Sequence, residues 1–130
     1  MENQPSFHVL LAEDNIFNQK VAVAMLKRLG LAVDVAKNGQ EVLEKLSDTH
    51  HYALIFMDCE MPIMDGFTAT AKIRDHEQQS GQHIPIVAMT AHGSPEDRKN
   101  CLQSGMDDYV SKPFKLDALQ EVLTRWHLAK

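Results

Sequence analysis

The sequence predicts a doubly wound α/β fold built on a five-stranded parallel sheet with the strand order 2-1-3-4-5. Short apolar runs alternate five times with segments of helical periodicity within the 130 residues. The apolar runs are nearly continuous, which is typical of strands buried on both faces. Five βα units in so short a chain favour right-handed crossovers, with helices on both faces of one sheet.

Each strand is predicted from one of these apolar runs. Asp34 interrupts the second run, which favours an edge position for that strand. Pro85 lies near the start of the fourth run, where a missing N–H group is tolerated. The five predicted strands cover residues 7–12, 31–36, 53–57, 84–89 and 108–111.

Each helix is predicted from apolar spacing and from residues that favour helix ends. Gly30 ends the first helix, and Asn38 with Glu41 resembles a capping box at the start of the second. The third helix is expected around residues 67–75, followed by a polar surface loop over residues 76–83. Ser94 and Pro95 indicate a strong start for the fourth helix. The apolar positions of the last helix are Leu116, Leu119, Leu123 and Trp126.

The bulk composition predicts one small acidic domain. The 44% hydrophobic content is enough for one core, and the net charge of −5 argues against broad contact with nucleic acid or an anionic membrane. No apolar run reaches the roughly 18 residues of a membrane span, and Met1 to Ser6 lack the pattern of a signal peptide. We therefore expect a tail or linker remnant over residues 1–6, a domain over residues 7–130, and a cytoplasmic location.

Chemically capable residues follow four of the five predicted strands. Glu13 and Asp14 follow the first strand, Asp58 the third, Thr90 the fourth and Lys112 the fifth. The carboxyl ends of parallel strands meet at one edge, and ligands bind where the strand order reverses. With the first and third strands adjacent there, we expect the three carboxylates to lie together.

Three neighbouring carboxylates repel one another unless a cation is present. Oxygen ligands with room for water suit Mg²⁺, which prefers one or two carboxylates together with waters and a phosphate. Lys112 supplies a positive charge for a phosphoryl oxygen, and Thr90 supplies a hydroxyl group. These parts suit phosphoryl transfer, with a carboxylate as nucleophile that forms an acyl phosphate.

The ordered motifs resemble the response-regulator receiver domain of two-component systems, which has the flavodoxin-like (CheY-like) fold. The resemblance covers residues 7–128, and each motif follows the expected strand. The matching segments are Leu11-Ala12-Glu13-Asp14-Asn15, Met57-Asp58, Met61-Pro62-Ile63-Met64-Asp65-Gly66, Met89-Thr90-Ala91 and Ser111-Lys112-Pro113-Phe114.

The resemblance implies that Asp58 accepts a phosphoryl group from a histidine of a histidine kinase or a histidine phosphotransfer protein. Asp14, Asp58 and the backbone carbonyl of Glu60 would hold Mg²⁺, while Glu13 would act through a metal-bound water. Lys112 would contact the phosphoryl group, with a cis bond to the following Pro113. Such a domain is not a conventional enzyme, because it phosphorylates itself from a donor and dephosphorylates itself.

The resemblance also implies a switch. Thr90 would turn its hydroxyl toward the phosphoryl group, and Tyr109 would turn inward in response. This would alter the face made by the fourth helix, fifth strand and fifth helix. A fixed, half-buried Tyr109 is the alternative. Glu60 and His92 would flank the phosphoryl group and tune its lifetime.

Glu13-Asp14-Asn15 followed by Asn18-Gln19 looks more like the receivers of hybrid sensor kinases than like stand-alone chemotaxis regulators. We therefore expect a receiver cut from a longer kinase, which could be membrane-bound, with a single-domain relay protein as the less favoured alternative. The receiver itself would make no contact with nucleic acid or with the membrane.

Three other functions fit parts of the pattern. A phosphatase with an aspartate nucleophile would need a second acid two residues after it. Glu60 has that offset, but the sequence contains no substrate-binding insertion. A flavin or nucleotide carrier would need a phosphate-cradling loop after the first strand, where Glu13 and Asp14 would repel phosphate. A degenerate receiver would bind partners without phosphorylation, which the complete acidic set argues against.

The remaining reactive side chains are interpreted as structural. Cys59 and Cys101 are expected to be reduced thiols, with a disulfide as the less favoured alternative. The seven histidines are read as surface residues, including His76 and the pair His50-His51, with His92 as the exception.

Overall fold

The computed structural model describes residues 7–48, 52–90, 94–112 and 115–128. Within these ranges, five strands alternate with five helices. The strands are β1 (His8–Ala12), β2 (Ala32–Ala36), β3 (Tyr52–Asp58), β4 (Ile86–Thr90) and β5 (Asp108–Ser111). The helices are α1 (Ile16–Arg28), α2 (Gly39–Asp48), α3 (Gly66–Ser80), α4 (Pro95–Gln103) and α5 (Leu116–Arg125).

The strands form one parallel sheet in the order β2-β1-β3-β4-β5, which confirms the predicted fold class. β2 lies at an edge, as Asp34 predicted. In the register of the central strands, Ala12 of β1 is opposite Met57 of β3. The residues that follow this pair, Glu13 and Asp58, are therefore brought to the same edge of the sheet.

The core lies on both faces of the sheet, because side chains alternate along each strand. One face packs against α1 and α5 through Ala22, Leu26, Leu119, Val122 and Leu123. The other face packs against α2, α3 and α4 through Val42, Ala69, Ile73 and Cys101. Helices therefore cover both faces, as a doubly wound fold requires.

The caps of α2 and α4 agree with the sequence, with one difference in detail. Asn38 Oδ1 accepts a hydrogen bond from Glu41 N at 2.9 Å, and Ser94 Oγ accepts one from Asp97 N at 3.1 Å. Glu41, however, reaches back to Lys37 N at 2.8 Å and not to Asn38. The glutamate thus satisfies the donor one residue before the cap.

The prediction of a loop over residues 76–83 is wrong for its first five residues. α3 continues to Ser80 and ends at Gly81, whose φ of 76° suits a residue without a side chain. Glu77 stabilises this polar last turn, because it accepts hydrogen bonds from Arg74 Nη1 and Ile84 N, each at 2.7 Å. Apolar periodicity could not reveal this turn, since its side chains face solvent or make polar contacts.

Smaller differences occur at strand ends. β1, β2 and β4 each begin one or two residues later than predicted, and β3 and β4 each extend by one residue at the carboxyl end. Pro85 therefore precedes β4, where its carbonyl accepts a hydrogen bond from Ile55 N at 2.9 Å.

Some predictions concern residues outside the described ranges. These are the tail over Met1 to Ser6, the pair His50-His51, the lifetime role of His92, and the cis bond to Pro113. In the part of the chain that the structure describes, no helix is both long and apolar enough to cross a membrane.

Candidate functional site

Three carboxylates meet at the carboxyl edge of the sheet, as predicted from their positions after the first and third predicted strands. One oxygen from each of Glu13, Asp14 and Asp58 lies within 4.8 Å of the others. Glu13 and Asp58 are buried, with 1% and 5% of their surfaces exposed, whereas Asp14 faces solvent. The cluster is thus open on one side and enclosed on the other.

Lys112 provides the positive charge in this cluster. Its Nζ lies 2.9 Å from Asp58 Oδ2 and 2.9 Å from Glu13 Oε1. The contact with Asp58 is a hydrogen bond, whereas the approach to Glu13 Oε1 makes an ion pair without a well-directed hydrogen bond. Burial lowers the pKa of the ammonium, but the two carboxylates outweigh burial and raise the pKa overall. Lys112 therefore stays charged at neutral pH.

The backbone places Lys112 beside Thr90. Lys112 N donates to Thr90 O at 2.8 Å, which continues the pairing of β4 with β5. Thr90 ends β4 and is buried, with 8% of its surface exposed. The structure therefore brings together all five residues that sequence reasoning placed at strand ends.

The loop between β1 and α1 fixes the direction of the acidic side chains. Asn15 N donates to Glu13 Oε2 at 3.1 Å, and Asn15 Oδ1 caps α1 by accepting from Asn18 N at 2.9 Å. Gln19 Nε2 donates to the backbone carbonyl of Glu13 at 2.7 Å. Sequence reasoning used Gln19 only as a subfamily signal. The signal it missed is that Gln19 lies in the first turn of α1, six residues after Glu13.

The loop between β3 and α3 closes tightly around Asp58. Glu60 N donates to Asp58 Oδ1 at 3.1 Å, and Gly66 N donates to Cys59 O at 3.1 Å. A Cβ atom on Gly66 would lie only 2.3 Å from the backbone oxygen of Asp58, so only glycine fits there. Asp65 caps α3 by accepting from Thr68 N at 2.7 Å.

Ile63 forms the exposed tip of this loop. Its φ is 69°, and Met64 N donates to Pro62 O at 2.6 Å, which is the pattern of a γ-turn. A β-branched residue is strained at positive φ. Ile63 is nevertheless 83% exposed, so its side chain gains little from burial within this chain.

The donor set of the cluster fits a divalent cation. Three carboxylates face one space, one of them exposed, and Lys112 forms ion pairs with two of them, Asp58 and Glu13. Glu13 Oε1 is buried without a well-directed hydrogen bond. Hard oxygen ligands with one open side suit Mg²⁺, which keeps several waters. The described residues thus fit the ion that the sequence indicated.

Tyr109 lies in β5, half-buried, and its ring packs against the core on the α4 side. The guanidinium carbon of Arg98 in α4 lies 5.4 Å from the ring centroid, which is a cation–π distance. The next residue back, Asp108, accepts hydrogen bonds from Arg125 and from Trp126 Nε1, the latter at 3.0 Å. β5 is therefore tied to both α4 and α5 around Tyr109.

A cleft of about 420 Å³ opens beside Asp58 and extends to α4. Cys59 and Cys101 line it, and both are free thiols, as the sequence predicted. Their Sγ atoms lie 3.8 Å apart, a contact that sequence reasoning missed because the residues belong to different elements. Burial, and the other thiol nearby, raise the pKa of Cys59 far above its ordinary value.

The chain matches a known protein family over most of its length. The family is the response regulator receiver domain, and the match covers residues 9–124. The chain therefore belongs to the receiver domain family of two-component phosphorelays. Its sheet order and the carboxylate cluster at the carboxyl edge of the sheet agree with this family.

The expected likeness to hybrid kinase receivers is confirmed by curated relatives. The hybrid signal transduction protein dokA of Dictyostelium discoideum is 46% identical over 125 residues, which are 96% of this chain and 7% of that protein. Histidine protein kinase 1 of Candida albicans is 40% identical over 132 residues, 96% of this chain and 5% of that protein. The chain thus spans only a small part of each relative.

Two solved receivers have closely similar structures. The receiver of a sensor histidine kinase of Pseudomonas aeruginosa, which holds a magnesium ion in its active-site cleft, is 43% identical with a TM-score of 0.83, covering 94% of this chain and 98% of that one. The receiver of Ssk1 from Saccharomyces cerevisiae, bound to the histidine phosphotransfer protein Ypd1, is 36% identical with a TM-score of 0.86, covering 96% of this chain and 91% of that one.

Proposed function

We propose that Asp58 is the phosphoacceptor of this receiver and works with Mg²⁺. The observation that carries the proposal is the position of Lys112 Nζ, which lies 2.9 Å from both Asp58 and Glu13 at the open edge of the sheet. Residues 7–130 act as one receiver unit in this proposal. The expected location remains cytoplasmic.

The side chains around Asp58 suit nucleophilic attack. A carboxylate oxygen of Asp58 attacks the phosphorus of a phosphohistidine, the P–N bond breaks, and the imidazole nitrogen keeps the electron pair and takes up a proton. Lys112 and Glu60 N, which contact the two Asp58 oxygens, orient the carboxylate. Bound Mg²⁺ would neutralise charge on the phosphoryl oxygens. Asp14, Asp58 and the Glu60 carbonyl would hold it, with Glu13 acting through water.

Exposed apolar residues beside the site support a protein as phosphodonor. Ile16 and Phe17 at the start of α1 are 65% and 72% exposed, and Ile63, in the loop that follows Asp58, is 83% exposed. Such residues mark a protein-binding surface when they cluster at a site. We infer that a histidine kinase or a histidine phosphotransfer protein docks here, by analogy with the Ssk1 receiver bound to Ypd1. Nucleic acid and membrane are not partners in this proposal.

Thr90 and Tyr109 are the proposed switch. A phosphoryl group on Asp58 would draw the Thr90 hydroxyl toward it, and Tyr109 would leave Arg98 and turn inward. Trp126 is the sole tryptophan of the chain. Its Nε1 donates a hydrogen bond to Asp108, the residue before Tyr109 in β5. Its fluorescence should change when beryllofluoride and Mg²⁺ are added, and Thr90→Val should remove that change. An equal change in Thr90→Val would contradict the switch.

Loss of the phosphoryl group is proposed to occur by hydrolysis in the same site. Glu60 is exposed, lies two residues after Asp58 and lines the same cleft, so we expect its side chain to influence the approach of the attacking water. His92 is the second proposed tuning residue from the sequence. Glu60→Ala should change the half-life of the phosphoprotein without changing Asp58 as the site. An unchanged half-life would contradict the role of Glu60.

The first test is phosphorylation by acetyl phosphate, read by intact mass. We expect gain of one phosphoryl group with Mg²⁺, none with EDTA, and none in Asp58→Asn, which keeps the size of the side chain and removes the nucleophile. Circular dichroism of Asp58→Asn controls for folding. If neither acetyl phosphate nor beryllofluoride reacted with the folded wild-type protein, the degenerate receiver would replace this proposal.

A further inference from the structure

Cys59 and Cys101 are the two cysteines of the chain, and the fold brings them into contact. They lie 42 residues apart in sequence, yet their Sγ atoms are 3.8 Å apart. Cys59 directly follows Asp58 at the end of β3, and Cys101 lies in the last turn of α4. Both thiols line the cleft beside the carboxylates.

Cys101 is the side chain that α4 buries in the core. All nine residues of α4 are described, and Cys101 is the one that is buried. Leu102, the next residue, is 43% exposed. The helix therefore enters the core through one small side chain, which contacts Cys59, while Arg98 of α4 lies over the Tyr109 ring of β5.

We propose that Cys59 and Cys101 form a thiol oxidation site, in which a small hydroperoxide converts the pair into a disulfide that ties α4 to the end of β3. The sulfur atoms must approach from 3.8 Å to about 2.05 Å. Rotation of the two side chains with a small shift of α4 supplies this movement, because α4 has no other buried side chain to hold it in place.

The reaction balances with one hydroperoxide for each pair. One thiol attacks hydrogen peroxide as its thiolate, the O–O bond breaks, and once the thiol proton is returned the products are a sulfenic acid and one water. Burial raises the pKa of both thiols, so little thiolate forms and this step requires excess peroxide. The second thiol then attacks the sulfenic sulfur, the S–O bond breaks, and a second water leaves with the remaining thiol proton. Both sulfurs are oxidised and both peroxide oxygens are reduced. Hydrogen peroxide is small enough to enter the cleft that the thiols line.

The consequence for signalling depends on the function proposed above. α4 belongs to the face that is expected to change on phosphorylation, and Cys59 adjoins Asp58. A covalent link between them would hold this face in one arrangement. The oxidised domain should therefore accept or transmit a phosphoryl group less well than the reduced domain.

The experiment treats the full chain with hydrogen peroxide, digests it without reduction, and searches for linked peptides by mass spectrometry. We expect a peptide pair joined through Cys59 and Cys101 in the monomer, and its loss on adding dithiothreitol. Cys101→Ser should give no linked pair, and Cys59→Ser serves the same purpose if Cys101→Ser fails to fold. Free thiols after treatment, or only sulfinic acids or disulfide-linked dimers, would overturn the proposal.

A second readout does not depend on phosphorylation. Amide hydrogen exchange in α4 should slow at least severalfold on oxidation of the wild-type chain and stay unchanged in peroxide-treated Cys101→Ser. Unchanged amide hydrogen exchange in the disulfide-linked wild-type protein would contradict the proposal that the disulfide holds α4 against the end of β3. Phosphorylation by acetyl phosphate is then compared between the oxidised and reduced forms. Failure of both forms to react would count against the function of Asp58, while the linked peptide would still stand.

Discussion

At the residue scale, the site depends on a balance between burial and charge at Lys112. Burial lowers the pKa of the Lys112 ammonium, and the carboxylates of Asp58 and Glu13 raise this pKa. Buried pairs of this kind add little net stability, but removal of one partner is costly because the other charge stays buried. The two acids therefore depend on Lys112, and in the proposed function also on a metal ion.

Lys112→Ala should weaken the response to phosphorylation more than it weakens folding. Without Mg²⁺, we expect a loss of about 1 kcal/mol or more in the free energy of unfolding, because Asp58 and Glu13 lose their cation. Added Mg²⁺ should restore part of this loss. Urea denaturation with Mg²⁺ and with EDTA measures both values, with Lys115→Ala at an exposed neighbour as control.

A normal Trp126 fluorescence change with beryllofluoride in Lys112→Ala would contradict the role of Lys112 in the response. That result would leave Lys112 as a structural residue only.

Gln19→Leu should weaken Mg²⁺ binding, because the Gln19 amide holds the backbone of Glu13 at 2.7 Å. Partners that orient metal ligands typically contribute about tenfold or more in affinity, so we expect a loss of about that size. Titration with Mg²⁺, followed by Trp126 fluorescence or calorimetry, gives the dissociation constant. Lys20→Gln, at the next exposed position of α1, is the matched control. Equal affinity in Gln19→Leu and wild type would show that the loop keeps its shape without this bond.

At the element scale, α3 is joined to the rest of the domain by polar contacts at both ends. Its first residue, Gly66, lies against the backbone of Asp58. Near its other end, Arg74 donates to Gly105 O, Ile84 O, Glu77 and Asp107 at 2.7 to 2.9 Å. This one side chain links α3 to the segments before β4 and before β5. The last turn of α3 is therefore stabilised by tertiary contacts, in addition to the local cap at Gly81.

Arg74→Ala should destabilise the domain strongly, because it leaves four acceptors without this donor. The side chains of Arg74, Glu77 and Asp107 are 17%, 11% and 17% exposed, so water replaces the lost bonds only in part. We expect a loss of about 3 kcal/mol. Arg98→Ala, which removes an exposed cation–π contact, should cost less than about 1 kcal/mol. Urea denaturation compares the two, and similar losses would contradict the special role of Arg74.

At the scale of the whole molecule, the sheet is stabilised differently at its two ends. The carboxyl edge gathers like charges that need a cation. At the opposite end, Asp34 of β2 accepts a hydrogen bond from Tyr52 of β3 at 2.6 Å and lies 3.1 Å from His8 Nε2 in β1. The hydrogen bond from Tyr52 is the main reason that the pKa of Asp34 is held below its ordinary value of 3.8, against the smaller opposing effect of burial.

Tyr52→Phe should lower the free energy of unfolding at neutral pH. In acid, the mutant and the wild type should be nearly equal in stability. A depressed pKa in the folded state stabilises the fold above the unfolded pKa of 3.8, and this contribution disappears as the pH falls through the folded pKa. Since Asp34 is partly exposed, we expect a difference of about 1 kcal/mol or less. Urea denaturation at about pH 7 and about pH 3 measures it. A difference that grew in acid would contradict this assignment.

The sequence by itself determined the fold class and the five residues at the strand ends. Strand burial and the order of βα units are written in local apolar patterns, and parallel strands must bring their carboxyl ends to one edge. Ser94 and Asn38 likewise cap helices through contacts within a few residues, which local sequence reveals.

The tertiary structure alone decided the features that depend on distant partners. Gly81 ends α3 locally, but the polar last turn is stabilised by partners that Glu77 and Arg74 find beyond the helix, and no apolar period records those partners. The contact of Cys59 with Cys101, and the bond from Gln19 to Glu13, depend on how helices lie against strand ends. These contacts are made by side-chain reach and packing in three dimensions, which the spacing of residues along the chain does not encode.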